Sequence, residues 1–428
     1  MIKIFIAEEI PSHNKGEAAI MHGIKETIAA HAKDDVLFFL CSRFKERDQK
    51  EYGPQVKVID SYGMIPRHLP PVIKRIRFTL NMLQHLAYIL TYRFFGSKIT
   101  STCFKNELWK AYSEADIIIV GHDNAFTRFH FPLILFAHWL GKKVSLYGTT
   151  IMPIIFESKF FKKFGRWVLN RVDLITTREL RTYHLLKAIG VDGVPLYCTA
   201  DKAFILKSIK NHEANLLIGK LGLDKIKKPY IGVMVARIST VYRAAFKGWS
   251  LSKEEKYEKH AAVIAAALNK IIKEIDVSIV FLGHCVGPDH ERDDRIVARA
   301  IKDKITVKDR TMLIMDDLSA SELKAIMGTC NMVVTERTHG GIGAATMNVP
   351  TLWITHPGDP RTHGIVAETL GLPQCLYNIE NLNQDSLAQK IKEVYEERES
   401  IKKILGKNVE NAQKLTMKNG EYFSQHLL

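Results

Sequence analysis

The chain has 428 residues, 46% of them hydrophobic and 25% charged, which excludes a disordered or low-complexity protein and leaves room for two domains of ordinary size. Six scattered cysteines (Cys41, Cys103, Cys198, Cys285, Cys330, Cys375), with no CxxC pair and no His/Cys cluster at ligand spacing, argue against a disulfide framework or a structural zinc and for a reducing compartment. The formal net charge of +15 points to anionic partners, but no nucleic-acid recognition motif accompanies it.

From the N-terminus, Lys3 to Ala7 reads as a strand that runs without an apolar signal-peptide region into a loop and a helix from about Glu17 to Ala32, so a cytoplasmic protein is expected. The loop, Ser12 to Glu17, follows the first strand and precedes the first helix, which is the ligand-facing position in a doubly wound sheet. Asn14, Gly16 and Glu17 are candidate acceptor contacts there, with helix capping as the plainer reading of Asn14. Val36 to Leu40 is a second strand.

Between Met64 and Lys110 there are eight Lys/Arg against one acid, Glu107. A second stretch from Phe156 mixes Lys159, Lys162, Lys163, Arg166 and Arg171 with Phe160, Phe161, Phe164 and Trp167. Such pairing suits an anionic membrane surface or glycolipid, so peripheral contact at the inner face of the cell membrane is one expectation. A solvated helix face is the other. The apolar window Phe78 to Phe95 is broken by Asn81, Gln84, His85 and Arg93 and reads as a core or interfacial helix, not a transmembrane one.

Four consecutive β-branched residues, Ile117 to Val120, mark a buried strand ending in His122, Asp123 and Asn124. Val144 to Tyr147 is another, ending near Thr149. Asp173 to Thr177 leads into Arg178-Glu179, and Leu196 to Thr199 into Asp201. From Leu206 to Pro229 the sequence turns Lys-rich, so the predicted division is 1–205, a linker region 206–228, and 229–428.

The β–α alternation then restarts. Tyr230 to Val235 ends at Arg237, Ser278 to Leu282 at Gly283-His284, and Met312 to Met315 at Asp316-Asp317. Asp293-Asp294 and Asp316-Asp317 read as helix caps or dipole partners rather than as a metal site, and no metal is expected. Ser319 with Glu322 forms a capping-box pattern.

Residues 331–355 are the most informative stretch. Met332 to Val334 breaks into Glu336-Arg337-Thr338-His339, which opens a Gly- and Ala-rich helix. A helix mouth at a strand's carboxyl end favours an anion, and Gly340, Gly341 and Gly343 permit close approach of a ligand or of a neighbouring element. Thr351 to Ile354 then leads into a polar loop with Arg361 and His363. The expected fold class is α/β, with two Rossmann-like domains facing across a cleft and the last helix, from about Asp385, crossing back to the first.

The ordered loops resemble those of the polysaccharide pyruvyl transferase family, whose members are similar in architecture to GT-B glycosyltransferases. The resemblance rests on Arg337-Thr338-His339 with Asn348-Val349-Pro350. It is supported in order by Asn14 to Ala19, His122-Asp123-Asn124, Gly148-Thr149-Thr150, Arg178-Glu179, Asp201 to Phe204 and Arg361 to Gly364. Arg361 stands where the family tends to have Lys.

The resemblance implies transfer of the enolpyruvyl group of phosphoenolpyruvate to two hydroxyls of a sugar in a surface polysaccharide or its lipid-linked precursor, forming a ketal and releasing phosphate. Phosphoenolpyruvate would be a co-substrate, with no bound cofactor. Guanidinium forks suit its phosphate and carboxylate, which singles out Arg337, Arg361, Arg237 and Arg178, with Gly340 and His363 beside them. His339 is the implied general acid to the methylene carbon. Asp123 is the candidate for taking the hydroxyl proton or steadying the cation, and Arg178 is grouped with these catalytic residues. The acceptor side would be Asn14, Gly16, Glu17, His122, Asn124 and Thr149. A nucleotide-sugar glycosyltransferase of the same architecture and a non-catalytic glycan-binding protein are the alternatives.

Overall fold

The computed structural model describes residues 1–60, 69–122, 126–236 and 250–428. Two parallel sheets organise them, and the chain divides into two compact units. One holds Met1–Ser12, Ile24–Ala200 and Met417–Leu428; the other holds His13–Gly23 and Asp201–Thr416.

The first unit carries seven strands: β1 (Ile2–Ile6), β2 (Val36–Ser42), β3 (Val56–Asp60), β4 (Ile117–Ile119), β5 (Lys143–Thr149), β6 (Leu174–Thr177) and β7 (Leu196–Cys198). Their spatial order is β3-β2-β1-β4-β5-β6-β7, parallel at every pairing. The apolar runs follow from burial on both faces: Phe5, Ile118, Val144 and Ile175 join one core with the helix residues Trp109, Tyr112 and Phe131.

The second unit repeats the plan with β8 (Tyr230–Met234), β9 (Ser278–Phe281), β10 (Thr311–Leu313), β11 (Met332–Thr335), β12 (Thr351–Thr355) and β13 (Leu376–Asn378). The order is β10-β9-β8-β11-β12-β13, again parallel throughout. Its helices start where their side chains can cap them. Ser252 and Ser319 each accept from the backbone three residues on and receive a Glu in return, closing capping boxes at Lys253–Ile275 and Ala320–Met327. Tyr230, Met234, Val280, Val333 and Ala344 share its core.

In both sheets the strand order reverses about a central pair, β1/β4 and β8/β11. Crevices beyond the carboxyl ends of such pairs are where open α/β sheets bind ligands. The Lys-rich 206–228 segment, read as a linker region, contains a helix, Asn211–Leu221, that ends on left-handed Gly222. The C-terminal helical region is two helices, Gln384–Glu396 and Arg398–Leu427, and residues from Met417 onward group with the first unit. No helix among the described residues is long and apolar enough to cross a membrane.

Candidate functional site

The turn at Arg337 to His339 leaves β11 at the reversal point of the second sheet. Arg337 is the N-cap residue of the helix Thr338–Ala345, so the helix makes no use of its own first-turn amides. The sequence favours this turn through the β-branched strand before it and the small residues after it. A Cβ on Gly341 would lie 1.9 Å from the Trp353 indole nitrogen, so only glycine lets the helix sit down on β12. Gly340, predicted to face phosphoenolpyruvate, is likewise a packing residue: its Cβ would meet Met234 at 2.9 Å and His284 at 3.1 Å.

Each cation of the cluster has a carboxylate partner. The Arg337 guanidinium donates from Nε at 3.0 Å and Nη2 at 2.5 Å to the two oxygens of Asp294, which is fully buried. Burial lowers the Arg337 pKa, and Asp294 more than reverses this. Asp294 therefore takes the Nε/Nη2 edge of the guanidinium and holds Arg337 as a fixed positive charge. Lys15 is buried and holds Asp317 at 2.8 Å. His339 Nε2 lies 3.4 Å from Oδ2 of buried Asp201, whose Oδ1 accepts from the Ala203 amide at 2.9 Å.

His284, at the carboxyl end of β9, is the neighbour these groups share. Burial drives its imidazole well below its ordinary value, and the charges of Arg337, His339 and Lys15 push it further down. It is held neutral in a cationic surround, which a bound anion would relieve. Its Nδ1 is buried with no hydrogen-bond partner among the described residues.

Arg361 Nε and His363 Nε2, on the loop after β12, share that condition. This loop is tied to the Arg337 turn by the Thr338–Thr362 hydroxyl bond of 2.7 Å. Asp359 caps it, accepting from the Thr362 hydroxyl at 2.6 Å and from Arg361 Nη2 at 3.3 Å. Burial raises Asp359, but Arg361 and Thr362 bring it down to about 2. Three buried nitrogens lacking partners, on loops from two strands beside one helix mouth, are what a ligand site leaves behind.

The segment Asn14 to Gly16 belongs to this unit. Lys15 N donates to the His284 carbonyl at 3.0 Å, Val286 N to the His13 carbonyl at 2.9 Å, and Asn14 pairs with Cys285. Asn14 Oδ1 accepts from Gly16 N at 3.1 Å, which is the capping reading. Gly16 packs on the catalytic candidate: its Cβ would lie 2.6 Å from His339 Nδ1. Glu17 is half-buried on the next turn.

The first unit has a different cluster at its own reversal point. Glu8, just past β1, accepts from the Gly121 amide at 3.0 Å and the His122 amide at 3.4 Å, and its carboxylate is held by the imidazoles of His122 and His130. Burial raises the Glu8 carboxyl, and His130 and His122 outweigh it, leaving the group well below its ordinary value. Burial lowers His130, and Glu8 reverses the sign and raises it.

His122, expected to contact acceptor, is thus a partner of Glu8. Asp123, Asn124 and Arg237 lie outside the described residues. Thr149 is fully buried at the end of β5. Arg178 is also fully buried, donating from Nε to Thr150 at 2.8 Å. Beside it Glu179 caps the helix Leu180–Ala188. Burial pushes Glu179 up to about 7 against the pull of Arg178.

Sequence reasoning placed none of Asp201, Asp294, Lys15, His284, Glu8 and His130 in a site, and read Asp294 only as a helix cap or dipole partner. All six sit at strand ends or helix starts, and that position was the available signal. Their partners, far away in sequence, were not.

The sequence profile described as polysaccharide pyruvyl transferase matches residues 14–358. The amylovoran biosynthesis protein AmsJ of Erwinia amylovora is 22% identical over 418 residues, covering 96% of each chain. Among solved structures, the UDP-GlcNAc 2-epimerase of Neisseria meningitidis bound to UDP-GlcNAc superposes with a TM-score of 0.57 at 12% identity, covering 98% of this chain and 99% of that one. The UDP-GlcNAc 2-epimerase of Methanocaldococcus jannaschii gives 0.55 at 10% identity, covering 91% of each. At such identities the likeness is one of fold, a GT-B-like α/β architecture.

Proposed function

Because the chain belongs to the polysaccharide pyruvyl transferase family, we propose that it transfers the enolpyruvyl group of phosphoenolpyruvate to two hydroxyls of a sugar in a surface polysaccharide or its lipid-linked precursor. Two C–O bonds form at the enolpyruvyl C2 and its bond to the phosphate oxygen breaks. Of the two hydroxyl protons released, one is matched at C3, which becomes a methyl group, and the other leaves on phosphate.

The observation that carries this reading is His339 held against buried Asp201 at a helix mouth that also gathers Lys15, Arg337 and neutral His284. Asp201, 3.4 Å from Nε2, fixes the orientation of the His339 ring at this helix mouth. Nε2 is turned to Asp201, and a side chain at position 16 would press on Nδ1, so Gly16 leaves the imidazole the room it needs. The first-turn amides and the fixed charge of Arg337 supply the field for phosphate or carboxylate. The unmatched nitrogens of Arg361, His363 and His284 supply its hydrogen bonds.

The test is to incubate the purified chain with phosphoenolpyruvate and a panel of synthetic or lipid-linked glycosides, following phosphate release and mass gain on the sugar. Phosphate release coupled to ketal formation is expected. Sugar transfer from a nucleotide donor, with phosphoenolpyruvate left intact by every glycoside, overturns the reading.

A further inference from the structure

The helix Pro71–Cys103 presents apolar residues to solvent instead of burying them. Ile76, Leu80, Leu83, Leu90 and Phe94 are exposed, Phe94 by 76%. At about 100° per residue they fall on one stripe. Arg77 lies on one side of that stripe and Arg75 and Arg93 on the other, while His85, Tyr88 and Ile89 pack the opposite face. A soluble helix puts its apolar stripe inward; this one has a second stripe outside.

Two further elements, next to the packed face of this helix, also carry exposed aromatic residues. Phe129, 66% exposed, packs edge-on against Phe78 with centroids 5.4 Å apart. Its neighbour Arg128 binds the carbonyls of Ile154 and Ile155 and lies 4.0 Å over the Phe161 ring. That places the helix Lys159–Leu169 alongside, where Phe160 and Trp167 are exposed at 67% and 43%. Arg171 caps Trp167 at 3.7 Å from its ring. The sequence from Ser61 to Asn106, from Asn124 to Phe156 and from Ser158 to Val172 holds no Asp or Glu.

We propose that the exposed stripe of the helix Pro71–Cys103 docks on an anionic lipid bilayer. The helix lies in the interface with its apolar stripe in the acyl boundary, and Arg75, Arg77 and Arg93 meet lipid phosphates. An apolar stripe flanked only by cations matches the layered chemistry of such a membrane. A second copy of the chain, bringing the same cations, would meet like charge. The proposal stands on surface residues and not on pyruvyl transfer: vesicle binding and phosphate release are separate readouts, and either can fail alone.

The full chain is mixed with vesicles of phosphatidylcholine and of phosphatidylcholine with phosphatidylglycerol, and flotation is measured at low and high salt. Flotation with the anionic vesicles is expected, roughly tenfold weaker with neutral ones and weakened by salt. The triple variant Leu80→Ser, Leu83→Ser, Phe94→Ser is expected to bind at least about tenfold less, with its cooperative melting retained because all three side chains are more than half exposed. Absence of flotation with anionic vesicles overturns the proposal. So does equal binding by the triple variant, or a concentration-dependent dimer in light scattering that the triple variant abolishes.

Discussion

The two sheets share a strand order and reverse it at equivalent places, yet what stands at the two reversal points is opposite in charge logic. Beyond β1 and β4 the half-buried carboxylate of Glu8 is clamped by two imidazoles and two backbone amides. Beyond β8 and β11 a lysine, an arginine and a histidine are each countered by an aspartate around one neutral imidazole. The first arrangement stabilises an anion the protein already owns. The second holds paired cations and partnerless nitrogens, which suits an anion supplied from outside. One fold plan thus provides two chemically distinct stations, and the residues on the loops, not the sheets, decide which is which.

The largest expected effect on stability lies in the second station. Asp294→Ala leaves the Arg337 guanidinium buried without its partner, and urea denaturation should show a loss of about 3–5 kcal/mol. A loss near zero would mean that the charge is not held as described. Asp294→Asn, which keeps shape and hydrogen bonding, should fall between the two.

The pH dependence separates the units next. Glu179 in the first unit has a folded value of about 7 against an ordinary 4.5. Its contribution is full below about 4.5 and is lost as pH rises through about 7, by about 3 kcal/mol in all. His284 in the second unit is depressed below its ordinary 6.5, so its contribution is present above 6.5 and lost as pH falls below it. Melting curves between pH 5 and 8 should therefore show Glu179→Gln flattening a rise in stability toward acid and His284→Gln flattening a fall. The same slope change in both variants would contradict the contrast.

Glu8→Gln should cost about 2 kcal/mol, since a neutral amide replaces charge-assisted bonds. It should also let the His130 pKa drop from its raised position, which NMR titration of the imidazole would follow. The smallest effect is expected at Gly340→Ala, where the Cβ meets the flexible end of Met234: about 1 kcal/mol or less in stability. If that substitution instead abolished phosphoenolpyruvate binding, Gly340 would face the ligand after all.

Much of the fold was legible because it rests on local patterns. The runs Ile117 to Val120 and Met332 to Val334 read directly as buried strands, and Ser319 with Glu322 announced its helix. Less legible were β3, whose VKVID alternates as an edge strand does, and β13, only three residues long. The turn at Arg337 to His339 stood out because its charged residues interrupt an apolar strand. Its chemistry did not, because Arg337 and Asp294 are 43 residues apart and His339 and Asp201 are 138 apart. The Asp294 partner of Arg337 could not be read for that reason. Salt-bridge partners at such separations leave no periodicity to read.

The most direct measurement is single-turnover kinetics of His339→Ala alongside its affinity for phosphoenolpyruvate. If His339 delivers the proton to C3, turnover should fall by at least about 100-fold while the Kd for phosphoenolpyruvate changes by no more than about threefold. Loss of phosphoenolpyruvate binding with turnover of the bound substrate intact would make His339 only part of the anion cradle, and would contradict the role assigned to it.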